Sequence, residues 1–184
     1  QLADKNIELN RSNKTLEELS HIDSLTGLYN RRYCNIVFNR EIKRSQRLKS
    51  TITFMMLDID FFKQYNDIYG HVNGDYALIS VGSVMQDVLS RPTDFVFRLG
   101  GEEFGVLITD TSIVESEVVA QKLRKAIEDG KINHCGNQAS KFLTVSIGVV
   151  SYLNGEIPDE IKIMEAADKK LYEAKTRGRN QYVI

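Results

Sequence analysis

Cysteine is scarce in this chain. Cys34 and Cys135 are the only two, too few for a disulfide framework and without the spacing of a metal site, so both read as ordinary reduced thiols. Charge of one sign is scarce as well. A formal net charge of -1 over 184 residues offers no broad basic surface for nucleic-acid phosphates, so a phosphate ligand has to be held by a local constellation. No apolar run approaches the roughly 18 residues that suggest a membrane span, and residues 1–20 have neither the basic start nor the apolar core of a secretory signal. From these absences the chain is expected to bind no nucleic acid, to make no membrane contact, and to work in the cytoplasm, alone or as the cytoplasmic part of a membrane-anchored protein. It begins with Gln rather than Met, which reads as a fragment of a longer protein or a processed chain. Neither an internal repeat nor a low-complexity segment is visible.

The length suits one well-cored domain with an appendage. Residues 1–20 are polar, free of Gly and Pro, with Leu2, Leu9 and Leu16 seven apart and Leu19 at a second seam position. That pattern predicts a helical linker. It forms either a thin coiled-coil seam or a solvated helix packed on its own domain, since the other seam position falls on Lys5 and Ser12. Residues 21–184 then form the globular domain. Asp23–Leu28 is loop-like, and Asn30 caps a helix running to about Leu48. Residues 51–60 crowd Ile52, Phe54, Met55, Met56, Leu57 and Ile59 into a buried strand. Helical segments follow, with Gly70 and Gly74 expected as breaks, and Arg91-Pro92-Thr93-Asp94 forms a turn. Phe95–Leu99 and Phe104–Thr109 read as strands around a Gly-Gly-Glu-Glu hairpin with its glycines at positive φ. Helices are expected over Ile113–Asp129 and Asp159–Lys175, and strands over Phe142–Tyr152 and Gln181–Ile184. Strands alternating with helices, but including a tight hairpin, predict an α/β (α+β) fold with a mixed sheet.

Side chains alternate along a strand, so Asp58 and Asp60 project to the same side at the end of an apolar segment. Pairing with the hairpin brings Glu102 and Glu103 beside Asp58. Carboxylates converging in this way repel one another unless a cation sits among them, and hard oxygen ligands suit magnesium. Magnesium in turn implies phosphate chemistry. Two nearby ions would bridge a triphosphate, acidify an attacking hydroxyl and stabilise a leaving pyrophosphate.

At these positions the sequence resembles the GGDEF family of diguanylate cyclases, of whose name-giving motif Gly100-Gly101-Glu102-Glu103-Phe104 is an accepted form. The resemblance extends over Asp23-Ser24-Leu25-Thr26-Gly27-Leu28-Tyr29-Asn30-Arg31-Arg32, over Asp58-Ile59-Asp60-Phe61-Phe62-Lys63 with Asn66, Gly70-His71 and Gly74-Asp75, and over Asp168-Lys169-Lys170-Leu171-Tyr172, Ala174-Lys175 and Gly178-Arg179-Asn180. Order and spacing agree from residue 23 to 184. What it implies is a five-stranded, mainly antiparallel sheet flanked by helices, similar to the palm of nucleotidyl cyclases and some polymerases, and the condensation of two GTP into cyclic di-GMP with release of two pyrophosphates.

The resemblance also implies residue roles. Asp58, the backbone carbonyl of Ile59, Glu102 and Glu103 would bind two magnesium ions per active site, with manganese as a substitute. Glu102 would be the base for the ribose 3′-hydroxyl, unless the metal alone acidifies that group. Asn66 and Asp75 match guanine-contacting positions, and His71 either lines the same pocket or braces the helix break after Gly70. Phe62 and Lys63, with Lys175 and Arg179, match positions that hold the substrate phosphates, Lys63 also counting as catalytic. Lys175 and Arg179 would share a helix face if helical geometry persists across them. Arg91 and Asp94 match an inhibitory site for the product, cyclic di-GMP, whereas Arg98 reads as a structural partner for a nearby carboxylate. Because the product is a symmetric ring of two nucleotides, two copies must face each other, so a homodimer and an upstream sensor domain are expected. A catalytically silent nucleotide or cyclic di-GMP receptor, a relative with altered base choice, and a cyclic-AMP-forming enzyme of similar fold are the other readings. Competent residues at every matched position, Asp at position 75 and the hairpin signature weigh against each in turn.

Overall fold

The computed structural model describes residues 21–153 and 156–184. The expected helix over residues 1–20 lies outside them. The chain order is β1 (Tyr29–Asn30), α1 (Arg31–Leu48), β2 (Ile52–Ile59), α2 (Phe62–Tyr69), α3 (His71–Val88), β3 (Phe95–Gly100), β4 (Glu103–Thr109), α4 (Ile113–Asp129), β5 (Val145–Tyr152), α5 (Glu160–Thr176) and β6 (Tyr182–Val183). Three helices begin at side-chain caps, of which Asn30 is the one expected from the sequence. Asn30 accepts from the Tyr33 amide, Asp159 from that of Lys162, and Ser112 forms a full capping box with Glu115.

One sheet carries the fold, in the order β1-β3-β4-β2-β5-β6. The four central strands are antiparallel, as expected, while the two-residue edge strands β1 and β6 pair in parallel and bring the count to six. The strand expected from Phe142 starts only at Val145, because Phe142 bridges back to Asn133 instead. All eight residues of β2 are buried, and its alternation divides them between two cores. Met55, Leu57 and Ile59 pack with Leu78, Val81 and Leu123 under α2, α3 and α4. Phe54 and Met56 pack with Phe38, Ile163 and Leu171 under α1 and α5. Each such large side chain contributes ~1.5–3 kcal/mol on burial, enough to hold polar ends of the same strands at fixed positions.

One glycine differs from expectation. Gly74 does not break a helix but lies within α3, where a Cβ would meet Asn66 Oδ1 at 1.9 Å. Its small size serves a close approach between α2 and α3. Only Gly70, shared as the cap between those helices, is the break. No helix among the described residues is long and apolar enough to cross a membrane.

Candidate active site

The hairpin places acidic residues where strand pairing requires them. Gly100 and Gly101 adopt φ of 148° and 52°, values that favour glycine, and the chain turns back so that Asp58 stands directly opposite Glu103. The Ile59 amide donates to the Glu102 carbonyl at 3.4 Å. Arg98 fixes the turn from below. Its guanidinium donates to the Gly101 carbonyl at 2.8 Å and pairs with Asp23 at 3.1 Å, while Asp23 also accepts from the Thr26 amide and hydroxyl. The Asp23–Leu28 turn and the hairpin thus brace each other.

Like charges directly opposite on adjacent strands are destabilising, and Asp58 records the strain. Its carboxyl is pushed up to about 6, chiefly by burial, with Glu102 and Glu103 adding to the rise and Lys175 opposing it. Lys175 on α5 reaches across to pair with Asp58 at 2.8 Å. Among the described residues no group of three or more His, Cys, Asp or Glu is gathered closely enough to hold a metal ion as it stands, so the expected convergence of four carboxylates is looser than alternation alone suggested. Glu103 is exposed and Glu102 half-buried, and Asp60 is turned to a different task. The donor set still fits a hard cation: Asp58 and Glu103 stand opposite each other at one strand end, and Asp58 already takes a cationic partner there.

Beside the carboxylates the chain turns sharply at Phe61, in the left-handed region at φ 57°, and enters α2. Phe62 is buried and Lys63 exposed. Asn66 lies one turn further, with Oδ1 buried and without a hydrogen-bond partner among the described residues. Gly74 lies against it, followed by the exposed Asp75, while the exposed His71 opens α3. These four therefore line adjoining turns of α2 and α3. Helical geometry does not persist from Lys175 to Arg179. The helix ends at Thr176, and Gly178 and Arg179 have φ of 114° and 65°; a local bond keeps the pair close, Arg179 Nη1 donating to the Lys175 carbonyl at 3.4 Å, while the Arg179 guanidinium lies 4.4 Å over the Phe61 ring.

Arg91 and Asp94 stand apart from this cluster, at the other end of β3. The turn is closed by the Asp94 amide donating to the Arg91 carbonyl. Arg91 pairs with Asp94 at 3.1 Å and donates to the Thr109 carbonyl at 2.8 Å, so it joins the entry to β3 and the end of β4 at the open end of the hairpin. A cavity of about 330 Å³ lies beside Asp94, lined in part by Ile22, Gly27, Tyr29 and Leu89.

Three features escaped sequence reasoning. Asp60 is a buried structural acceptor, taking bonds from Thr144 Oγ1 at 2.8 Å, Ser146 Oγ at 2.7 Å and the Asn180 amide at 3.0 Å. His134, on the loop before β5, is fully buried against Phe61. A groove of about 300 Å³ continues from Glu103 and Lys175 along Asp168, Lys169, Leu171 and Tyr172. The motif containing Asp168 and Tyr172 was legible as a signal, although its position beside the carboxylates was not.

A central antiparallel sheet with acidic groups at the ends of paired strands and helices on both faces defines a palm-like domain of the nucleotidyl-cyclase class. The family model described as "Diguanylate cyclase, GGDEF domain" matches residues 20–181, and the chain belongs to that family. It is 37% identical over 176 residues to diguanylate cyclase A of Treponema denticola, covering 94% of this chain and 46% of that protein. Against diguanylate cyclase DosC of Escherichia coli it is 38% identical over 160 residues, covering 87% and 34%. The chain thus spans less than half the length of these relatives. Among solved structures, the coiled coil and GGDEF domain of DgcB from Caulobacter crescentus, in complex with c-di-GMP, superposes with a TM-score of 0.80 at 30% identity, covering 99% of this chain and 96% of that one.

Proposed function

We propose that the chain is a diguanylate cyclase domain that condenses two GTP into cyclic di-GMP. The observation that carries this reading is the opposition of Asp58 and Glu103 on adjacent strands, with Lys175 paired to Asp58. The family is dependent on divalent metal. Asp58, the Ile59 carbonyl, Glu102 and Glu103 would hold magnesium, two ions per site, with manganese able to replace it. When bound, such ions supply charge neutralisation for the triphosphate and acidify a coordinated hydroxyl.

The remaining chemistry belongs to the protein's own groups. Asp75 accepts from the guanine ring nitrogens and Asn66 completes the edge with its amide, with His71 beside them. Lys63, at the start of α2, and Lys175 with Arg179 balance phosphate charge as the pyrophosphate departs. Phe62 packs beneath that turn. Glu102 accepts the proton of the 3′-hydroxyl as its oxygen bonds to the α-phosphorus of the facing nucleotide and the bond to pyrophosphate breaks. Ring closure needs two such events, so two copies face each other, brought together by an upstream segment and its sensor. Arg91 and Asp94 bind product and inhibit.

The test is incubation of the purified chain with GTP and magnesium, followed by chromatography of the products. Cyclic di-GMP should form, and Glu102→Gln should lower its rate by ~10²–10⁴-fold with an unchanged fold. Near-normal turnover by that variant would remove Glu102 from the chemistry, and absence of product from the parent would favour a silent receptor domain.

A further inference from the structure

We propose that His134 is a positioning residue for the substrate-phosphate turn, holding the Phe61 carbonyl and through it the placement of Phe62, Lys63 and Arg179; the proposal rests on the nucleotide-condensing reading above. His134 belongs to the loop between α4 and β5, far from the turn in sequence, and is fully buried. Its Nε2 lies 3.1 Å from the Phe61 carbonyl oxygen. A carbonyl only accepts, so Nε2 carries the hydrogen. In a neutral imidazole Nδ1 is then a bare acceptor, and Nδ1 is buried without a partner among the described residues. An apolar side chain of similar size would fill this space without leaving a polar atom unsatisfied. The imidazole is therefore explained by its hold on this backbone, the Phe61 carbonyl at 3.1 Å first and the neighbouring Asp60 beside it. Burial also holds its pKa below the ordinary histidine range, which keeps a single N–H available.

The carbonyl it grips is a sensitive one. Phe61 is a bulky residue in the left-handed region, φ 57° and ψ 32°, and it caps α2 without a side-chain hydrogen bond. Such a conformation persists only where surrounding contacts over-determine it. Phe61 O also accepts from the Tyr65 amide at 3.0 Å, so one oxygen both starts α2 and meets His134. Tyr65 closes the arrangement by standing edge-on to the imidazole, with ring centroids 5.1 Å apart. Above it, the Phe61 ring carries the Arg179 guanidinium at 4.4 Å. Rotation of this peptide would move Lys63 and Arg179 together.

The platform beneath is rigid. The His134 amide donates to the Lys141 carbonyl at 3.0 Å and its own carbonyl accepts from Asn137 at 3.1 Å. Asn137 Nδ2 donates to the Phe142 carbonyl at 2.7 Å and to Thr144 Oγ1 at 3.0 Å. A loop built in this way transmits the position of β5 to the phosphate turn.

The experiment compares His134→Leu, which keeps bulk and removes the donor, with His134→Gln, whose amide reaches Phe61 with an N–H. Steady-state turnover and equilibrium GTP binding are measured on both, together with hydrogen exchange at the Tyr65 amide, which donates to the Phe61 carbonyl. We expect the leucine variant to raise KM and the GTP dissociation constant roughly tenfold, with kcat within about threefold, and glutamine to restore most of the loss. Exchange at the Tyr65 amide should quicken in the leucine variant alone. If the leucine variant does not fold, His134→Asn, too short to reach the carbonyl, supplies the same contrast with glutamine. Unaltered GTP binding in a folded donor-free variant, or equal defects in the glutamine and donor-free variants, would overturn the proposal. Failure of the parent to make cyclic di-GMP would instead overturn the cyclase reading, leaving the binding and exchange comparisons to decide on His134.

Discussion

Replacing Asp58 by Asn should abolish cyclic di-GMP formation and at the same time stabilise the metal-free domain. In the folded chain the Asp58 carboxyl is pushed up to about 6 from an ordinary 3.8, so burial and the neighbouring glutamates outweigh the attraction of Lys175. A rise of that size corresponds to ~3 kcal/mol of penalty on the ionised form. With the Asp58 side chain only 12% exposed, solvent screening removes little of it. An amide at this position carries no such penalty and still accepts from Lys175, but loses some hydration of its own, which leaves a net gain of ~1–3 kcal/mol. For a domain of this size that is a rise of ~2–10 °C in Tm. The pH dependence follows from the direction of the shift. Between pH 3.8 and about 6 the unfolded chain releases its proton before the folded one, so the native state binds more protons and stability falls as pH rises through that window. The advantage of Asp58→Asn should therefore be small near pH 4, grow to about pH 6 and stay level above it. Thermal unfolding of both proteins in chelator, across this range, measures it. With GTP and a divalent cation the order should reverse, because the parent alone gains from binding. An Asn variant less stable than the parent at pH 8 in chelator would refute the reasoning, since the Lys175 pair would then outweigh desolvation.

Two further outcomes test the outlying assignments. Asp75→Ala should weaken GTP binding and narrow the preference for guanine over adenine, by ~1–3 kcal/mol for a base donor left without its acceptor; competition between GTP and ATP reads this directly, and unchanged discrimination would misplace the guanine pocket. Arg91→Ala should raise the cyclic di-GMP concentration needed for inhibition while leaving the uninhibited initial rate largely intact, and equal inhibition of variant and parent would reduce the Arg91–Asp94 pair to a structural turn.

The parts of the site set by local rules were legible in the residues. Period-two alternation and the Gly-Gly hairpin place Glu103 opposite Asp58, because register follows once the turn is fixed. The Asn30 cap marks a helix start equally locally, through a side-chain oxygen that accepts from the Tyr33 amide. What failed was set by distant partners. Gly74 looks like a helix breaker by propensity, yet α3 runs through it and uses its missing Cβ to admit Asn66. Lys175 and Arg179 look like helix neighbours by spacing, yet the helix stops between them, and it is the Arg179 guanidinium turning back to the Lys175 carbonyl that keeps them close. A lone His134 carries no pattern at all, since its partner lies 73 residues away.

Asp60 shows why these distant partners matter to the chemistry. Its amide donates to the Thr144 carbonyl at 2.9 Å, and its carboxylate gathers Thr144, Ser146 and the Asn180 amide. Three segments, the turn after β2, the start of β5 and the loop after α5, are thereby tied at one buried charge. That loop needs the anchor, because Arg179 and Asn180 both lie at positive φ, a conformation costly for residues other than glycine. Asn180 is held on its other side as well, accepting from Arg124 at 2.9 Å and donating to Glu128 at 3.0 Å. Lys63 follows the first of these segments in the chain and Arg179 belongs to the last, while Lys175, on the helix before that loop, reaches Asp58 itself. Of two aspartates two residues apart on one strand end, Asp58 thus meets the Lys175 ammonium, while Asp60 commits its oxygens to holding the backbone around it.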